Sequence, residues 1–241
     1  MSEAAVGRAD IILLGDVMLG RGVDAEWRAG KSAEAFWGSA LAALRDADGV
    51  FANLECAITA HPARWSGTPK VFHFRASPGT TESLRAANIR WVSLANNHSL
   101  DFEAEGLLDT IGHLDRAGIA HAGAGRDRAA AMAPSLVTVG GGRVRLIALT
   151  DNEPPFAATD RRPGTWYAPI AASDAVLAPI AERIAALRRA GATLVIVSLH
   201  WGPNMVEEPP PHHRAFAQAL IGLGADVVHG HSAHVVQGVE L

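Results

Sequence analysis

The stretch WVSLANNHSLD, residues 91–101, decides how the rest of the chain is read. A β-rich, mostly apolar run, WVSLA, stops at two amides, an imidazole, a hydroxyl and a carboxylate. Residues 103–117 then carry Leu107, Leu108, Ile111 and Leu114 at helical spacing, with Gly118 where a C-cap belongs. Polar side chains at the carboxyl end of a strand, just before a helix, are where open α/β sheets keep their ligand crevices.

Other segments end in the same way. Residues 11–14 form a short apolar run ending in Gly15-Asp16, which reads as a buried strand delivering a carboxylate into a loop. Residues 49–54 give a second strand, with Asn53 and Glu55 at its end. TLVIVSL at 193–199 runs into His200-Trp201-Gly202, and Asp226-Val227-Val228 runs into HGHSAH. Helices are expected over 33–45, with Phe36, Trp37, Leu41 and Leu44 on one face, over 83–87 and 174–189, and from PPPHH to residue 223. SLVTV and RVRLIALT flank Gly140-Gly141-Gly142, a hairpin signal that makes the sheet a mixed one. The Pro-rich segment 151–169 has the length of a lid or substrate-contacting loop, and VVQGVEL reads as a last strand. IAHAGAGRDRAAA reads as a strand, a Gly-rich turn and a helix start. It lacks the order and acidic partner of a dinucleotide site, which excludes one.

Composition narrows the chemistry. The 241 residues, 49% hydrophobic and 19% charged, suit one α/β domain over 1–241, with 1–9 expected to be disordered. A net charge of −4 argues against a nucleic-acid partner. One cysteine, Cys56, excludes an internal disulfide and a Cys-rich zinc site, so any metal is held by N and O ligands, which the eleven His can supply. MSEAAVGRAD lacks a signal-peptide core and no run approaches transmembrane length, so the chain as written reads as soluble and cytoplasmic.

Five strands therefore end in polar groups: Asp16, Glu55, Asn97 with His98, His200, and His231 with its His neighbours. A parallel sheet aligns such ends at one edge, where they make a binuclear set with a carboxylate bridging metals about 3.5–4 Å apart. Singly, each has a plainer reading: Asp16 as a turn or helix cap, Glu55 as a solvated loop residue, Asn96 and Asn97 as turn formers, His200 as a core histidine. Three imidazoles within HGHSAH, however, are costly crowding without a ligand or charge partner. Cys56 reads as a small buried apolar residue, since no activating neighbour is evident. Arg21, Lys70 and Arg75 are ordinary surface charges unless they border the crevice, where they would hold an anionic substrate.

The strings GDVMLGRGVD, FANLECAIT, VSLANNHSLDFEAEGLLDTI, AGAGRD, VSLHWGP and GADVVHGHSAHVVQGVE resemble the CapA family of bacterial capsule and poly-γ-glutamate biosynthesis proteins, within the calcineurin-like metallophosphoesterase superfamily. The resemblance implies a four-layer α/β/β/α sandwich with mixed sheets and a metal site at the strand ends, in which family members often continue into further C-terminal strands and are often envelope-associated. Against the superfamily motifs DxH, GD, GNH, a lone His and GHxH, it implies Asp16 for the first Asp and Glu55 for the bridging Asp. Asn97 and His98 match the GNH pair, His200 the lone His, and His231 and His234 the last motif. Met18 stands where the first motif has His, and GHSAH spaces its imidazoles by three, so the choice among His229, His231 and His234 is open. A missing edge strand would favour a homodimer.

The implied activity is hydrolysis of a phosphoester or related anionic small molecule or polymer, with one or two divalent ions (Mn, Fe, Zn or Mg). His98 would serve as the acid, and Asp101 either as its orienting partner or as the cap of the next helix. The expectation from a different class is a non-catalytic accessory protein that binds the capsular polymer.

Overall fold

The computed structural model describes residues 8–241. In chain order its strands are β1 (Ile11–Val17), β2 (Gly49–Leu54), β3 (Ala57–Ile58), β4 (Arg75–Ala76), β5 (Ile89–Ser93), β6 (Ala120–Ala122), β7 (Ala124–Gly125), β8 (Ser135–Val139), β9 (Gly142–Thr150), β10 (Gly164–Thr165), β11 (Leu194–His200) and β12 (Val227–His231). The helices are α1 (Gly22–Arg28), α2 (Leu41–Asp46), α3 (Thr81–Ala86), α4 (Glu103–Ala117), α5 (Arg128–Ala131), α6 (Asp174–Arg189) and α7 (Pro211–Gly222). One sheet has the order β1-β2-β5-β6 and is parallel throughout. The other has the order β12-β11-β9-β8 and is parallel except for the β8–β9 hairpin. That hairpin turns at Gly140 and Gly141, whose φ values of 54° and 80° are the positive angles a tight hairpin turn demands.

Side-chain alternation along the strands sorts apolar residues into three layers of core. Phe51, Trp91, Ala95 and Ala122 of the first sheet meet Val137, Val144, Leu146, Ala148 and Ile196 of the second, so the sheets pack face to face. The opposite face of the first sheet, with Val50, Ala52, Leu54 and Val92, packs on Leu44, Leu84, Leu107 and Leu114 of α2, α3 and α4. The opposite face of the second sheet, with Ile147, Leu149, Val195, Val197 and Leu199, packs on Ile180, Ile184, Leu187, Phe216 and Leu220 of α6 and α7. The architecture is the expected α/β/β/α sandwich, and of its two four-stranded sheets only the second is mixed. A parallel sheet covered on both faces explains why β2 is buried at every residue.

Four expectations about elements change. Residues 33–45 do not make one helix: a 3₁₀ segment, Ala35–Ala40, precedes α2, and Gly38, at φ 51° and ψ −136°, breaks the run. Trp37 instead turns its indole N–H to the Ser83 carbonyl at 2.9 Å. GRGVD contains the start of α1, just after Arg21, where the sequence suggests only a loop. VVQGVEL forms no strand, because β12 ends at His231 and the backbone turns off the sheet at Ser232 (φ 97°) and His234 (φ 55°). That tail lies against α7, where Gln218 and Arg214 donate to the Glu240 carboxylate. Segment 151–169 is no free lid: β10 pairs with β7 and Phe156 is fully buried.

Disorder expected over 1–9 falls, up to residue 7, outside the described residues, and Ala9 packs against the core between the sheets. Among the described residues no helix is long and apolar enough to cross a membrane.

Candidate metal centre

Both sheets present their carboxyl ends at one edge, and strand register makes the first contacts there. In the β1–β2 pair Asp16 lies opposite Asn53, whose amide donates to Asp16 Oδ1 at 2.8 Å. In the β11–β12 pair His200 lies opposite His231, which brings their Nδ1 atoms to 3.0 Å. The two sheets face each other, so both imidazole nitrogens also reach Asp16 Oδ1, each at 3.5 Å. Asp16 Oδ2 accepts from the Ser232 N–H at 3.1 Å and lies 3.2 Å from His234 Nδ1.

Two groups of ligand-type atoms result, Asp16 with His200 and His231, and Asp16 with Glu55 and His234, each within 4.8 Å. Asp16 is common to both, whereas Glu55 belongs to one. His229 belongs to neither, although its ring centroid lies 5.3 Å from that of His231.

The electrostatics follow from this crowding. Burial alone would raise the Asp16 pKa, but hydrogen bonds and charge from His200 and His231 outweigh it and hold the carboxyl well below its usual range. Burial, joined by the Asp16 and Asp101 charges and opposed by Lys70, pushes Glu55 up to about 8. Burial pushes His231 down to about 3, which leaves a neutral ring with a lone pair to offer. The His231 Nε2 is tied to the Ser198 hydroxyl at 2.9 Å.

The opening stretch contributes three separate roles. Asn96, fully buried, donates to Asn53 Oδ1 at 3.0 Å and accepts from the His98 N–H at 2.9 Å, so it is a strut between strand ends. Asn97 Oδ1 is a buried acceptor with no hydrogen-bond partner. His98 Nδ1 lies 2.6 Å from Asp101 Oδ2, which also accepts from the Phe74 N–H at 2.6 Å. The N-cap residue of α4 is Phe102, without a side-chain cap, so the geometry makes Asp101 the partner of His98. His98 Nε2 points toward Glu55 Oε1 at 3.8 Å. Burial lowers the His98 pKa against the pull of Asp101.

The donor set fits a divalent ion. It combines imidazoles and carboxylates, a mixture suited to zinc, iron or manganese, and Asn97, next to His98 in the chain, carries a buried amide oxygen with no hydrogen-bond partner. Met18, at the departure from DxH, turns its sulfur to the Gly20 N–H at 3.1 Å. Cys56 is buried and its thiol is pushed up to about 12 by burial, which makes it inert packing.

The three cations singled out in the sequence divide. Lys70 is buried, donating to the Asn97 carbonyl at 2.6 Å and to Glu153 at 3.2 Å, with Asp101 Oδ1 at 3.5 Å. Arg75 donates to the His61 carbonyl and lies over the Phe102 ring at 4.7 Å. Arg21 lies 5.9 Å from the ring centroids of both Phe72 and Phe74. Asn53 and Asn96 are the residues that sequence reasoning leaves without a role; their signal is an amide inside or just after an otherwise apolar strand.

Fold and site together define a class, a two-sheet α/β/β/α sandwich with an imidazole–carboxylate cluster where both sheets end. The model of a family described as bacterial capsule synthesis protein PGA_cap matches residues 10–241, and the chain belongs to that family. A Mycobacterium tuberculosis protein described as a probable polyglutamine synthesis accessory protein is 36% identical over 268 aligned residues, covering 96% of this chain and 70% of the relative. The capsule biosynthesis protein CapA of Bacillus anthracis is 29% identical, over 82% of this chain and 48% of its own length. The PGA biosynthesis protein CapA of Bacillus subtilis is 26% identical, over 95% and 58%.

Proposed function

We propose that this chain is a metal-dependent hydrolase of a phosphoester or related anionic substrate that acts in capsule or poly-γ-glutamate synthesis. The carrying observation is the convergence of Asp16, His200 and His231 from two sheets, beside an unsatisfied Asn97 oxygen and the His98–Asp101 pair. Asp16, Glu55, Asn97, His200, His231 and His234 would hold one or two ions. A divalent ion bound there supplies an activated water and neutralises charge that develops on reacting oxygens.

The chain's own residues do the rest. Asp101 fixes the His98 ring through Nδ1 and leaves Nε2 directed toward Glu55. Protonated on Nε2, a form Asp101 favours and burial opposes, His98 donates to the leaving oxygen. Lys70 draws the Asn97 carbonyl, Asp101 and Glu153 together, which holds both the ligand loop and the acid in place. The capsule context is supported by the relatives' descriptions.

A second reading, a polymer-binding accessory without turnover, is favoured by one observation: Met18 removes an imidazole from the cluster and its sulfur is engaged by Gly20. Metal analysis with a screen of phosphomonoesters and phosphodiesters separates the two. The hydrolase reading expects turnover that falls about 10²- to 10⁴-fold in His98→Ala with metal content unchanged. Stoichiometric metal without turnover on any ester supports the accessory reading.

A further inference from the structure

Beside His98 the neighbouring loop is aromatic. Phe74 stacks on the His98 ring with centroids 3.9 Å apart and planes inclined by 24°, and Phe72 continues the stack at 6.3 Å and 26°. The row thus runs from a buried imidazole to a phenyl ring that is 58% exposed. The Arg21 guanidinium stands beside both rings at 5.9 Å, and among the described residues no hydrogen bond or ion pair engages it. Lys70, by contrast, is engaged by Asn97 and Glu153, and Arg75 donates one N–H to the His61 carbonyl.

The chain accepts unfavourable local geometry to put Arg21 there. Its φ of 54° with ψ of −123° is a region side-chain-bearing residues avoid, and such strain exceeds what an exposed cation–π contact returns. Gly20, just before it, has no room for a side chain, since a Cβ would meet the Arg75 carbonyl oxygen at 2.8 Å. This close approach of two loops sets Arg21 against the Phe72–Phe74 pair.

Resting on the hydrolytic reading above, we infer that Phe74, Phe72 and Arg21 form a leaving-group subsite for a flat ring bearing a negative charge, a carboxylate or a second phosphate. A ring laid along Phe72 continues the stack, and Arg21 supplies a bidentate anion contact at its edge. Through Phe74 the subsite adjoins His98, the residue proposed above to protonate the leaving oxygen.

Non-hydrolysable probes test this without turnover. Calorimetric titration of the manganese-loaded protein with methylphosphonate, phenylphosphonate and 4-carboxyphenylphosphonate should show the ring tightening binding about tenfold and the carboxylate adding a further gain of about threefold or more. Phe72→Ala should bring the phenyl-to-methyl ratio toward one, and Arg21→Gln should remove the carboxylate gain while keeping the ring preference. Equal binding of phenyl- and methylphosphonate by the unmodified protein, ratios unchanged in the variants, or no phosphonate binding would overturn the subsite. Failure of the hydrolytic reading has a different signature, ring-selective phosphonate binding with no ester turned over.

Discussion

Arg21 shows how much a single residue can say when its backbone and side chain are weighed together. A residue held in so sparsely populated a region costs about 1–3 kcal/mol, against about 0.5–1 kcal/mol from an exposed cation–π contact. Strain wins, so Arg21→Gly should raise the melting temperature by about 2–4 °C for each kcal/mol relieved in a domain of this size, while weakening anionic ligands. Thermal melts check it, and a lowered temperature would mean that the contacts with Phe72 and Phe74 outweigh the strain.

At this same scale the sequence exposes ligand-type residues well, because Asp16, Glu55, His200 and His231 stand out where apolar strands stop. It does not expose the amides. Asn53 and Asn96 act through contacts 43 residues apart in sequence, and nothing local marks such a pair. The Asp101 alternatives, cap or partner, likewise depend on where the Phe74 loop lands, since that loop donates the second hydrogen bond to its carboxylate.

Among elements, strands are easier to read than the segments that come after them. β9 and β11 carry apolar runs, LIAL and LVIV, whose pattern needs no partner to be recognised, and the Gly-rich turn before β9 forces a hairpin. VVQGVEL is also rich in Val but pairs with no strand, because the backbone leaves the sheet at Ser232 and His234, and a strand is defined by its neighbour. The 33–45 run has helical apolar spacing, yet the Gly38 geometry and the Trp37–Ser83 contact override it.

Loops carry the sharpest test at this scale. Lys70 ties segment 59–78 to the Asn97 loop and, through Glu153, to segment 151–169, while Trp65 packs edge-on against Phe156 at 4.8 Å. A solvated substrate-binding lysine could be removed at little cost to folding. A buried one that pairs Asp101 and Glu153 cannot, so Lys70→Ala should lower unfolding free energy by about 3–5 kcal/mol. Denaturant titration measures this, and a loss below about 1 kcal/mol would return Lys70 to the solvated class.

For the molecule as a whole, the sequence indicates parallel sheets whose ends align and leaves open which strands share a sheet. That partition comes from the layer between the sheets, where Phe51 and Trp91 meet edge to face and the Trp91 indole donates to Ser135 across the interface at 2.6 Å. The partition matters for chemistry. Asp16 and Glu55 come with one sheet and His200 and His231 with the other, so the candidate centre exists only when the two are docked.

Anomalous diffraction from a crystal of this chain grown with manganese, recorded on the high-energy side of the manganese edge, tests that centre directly. The expected result is a peak bounded by Asp16, His200 and His231, with Asn97 Oδ1 turned toward an ion. A well-ordered crystal at saturating manganese with no peak in that cluster, or with its ions bound only elsewhere, would contradict a metal centre at the strand ends.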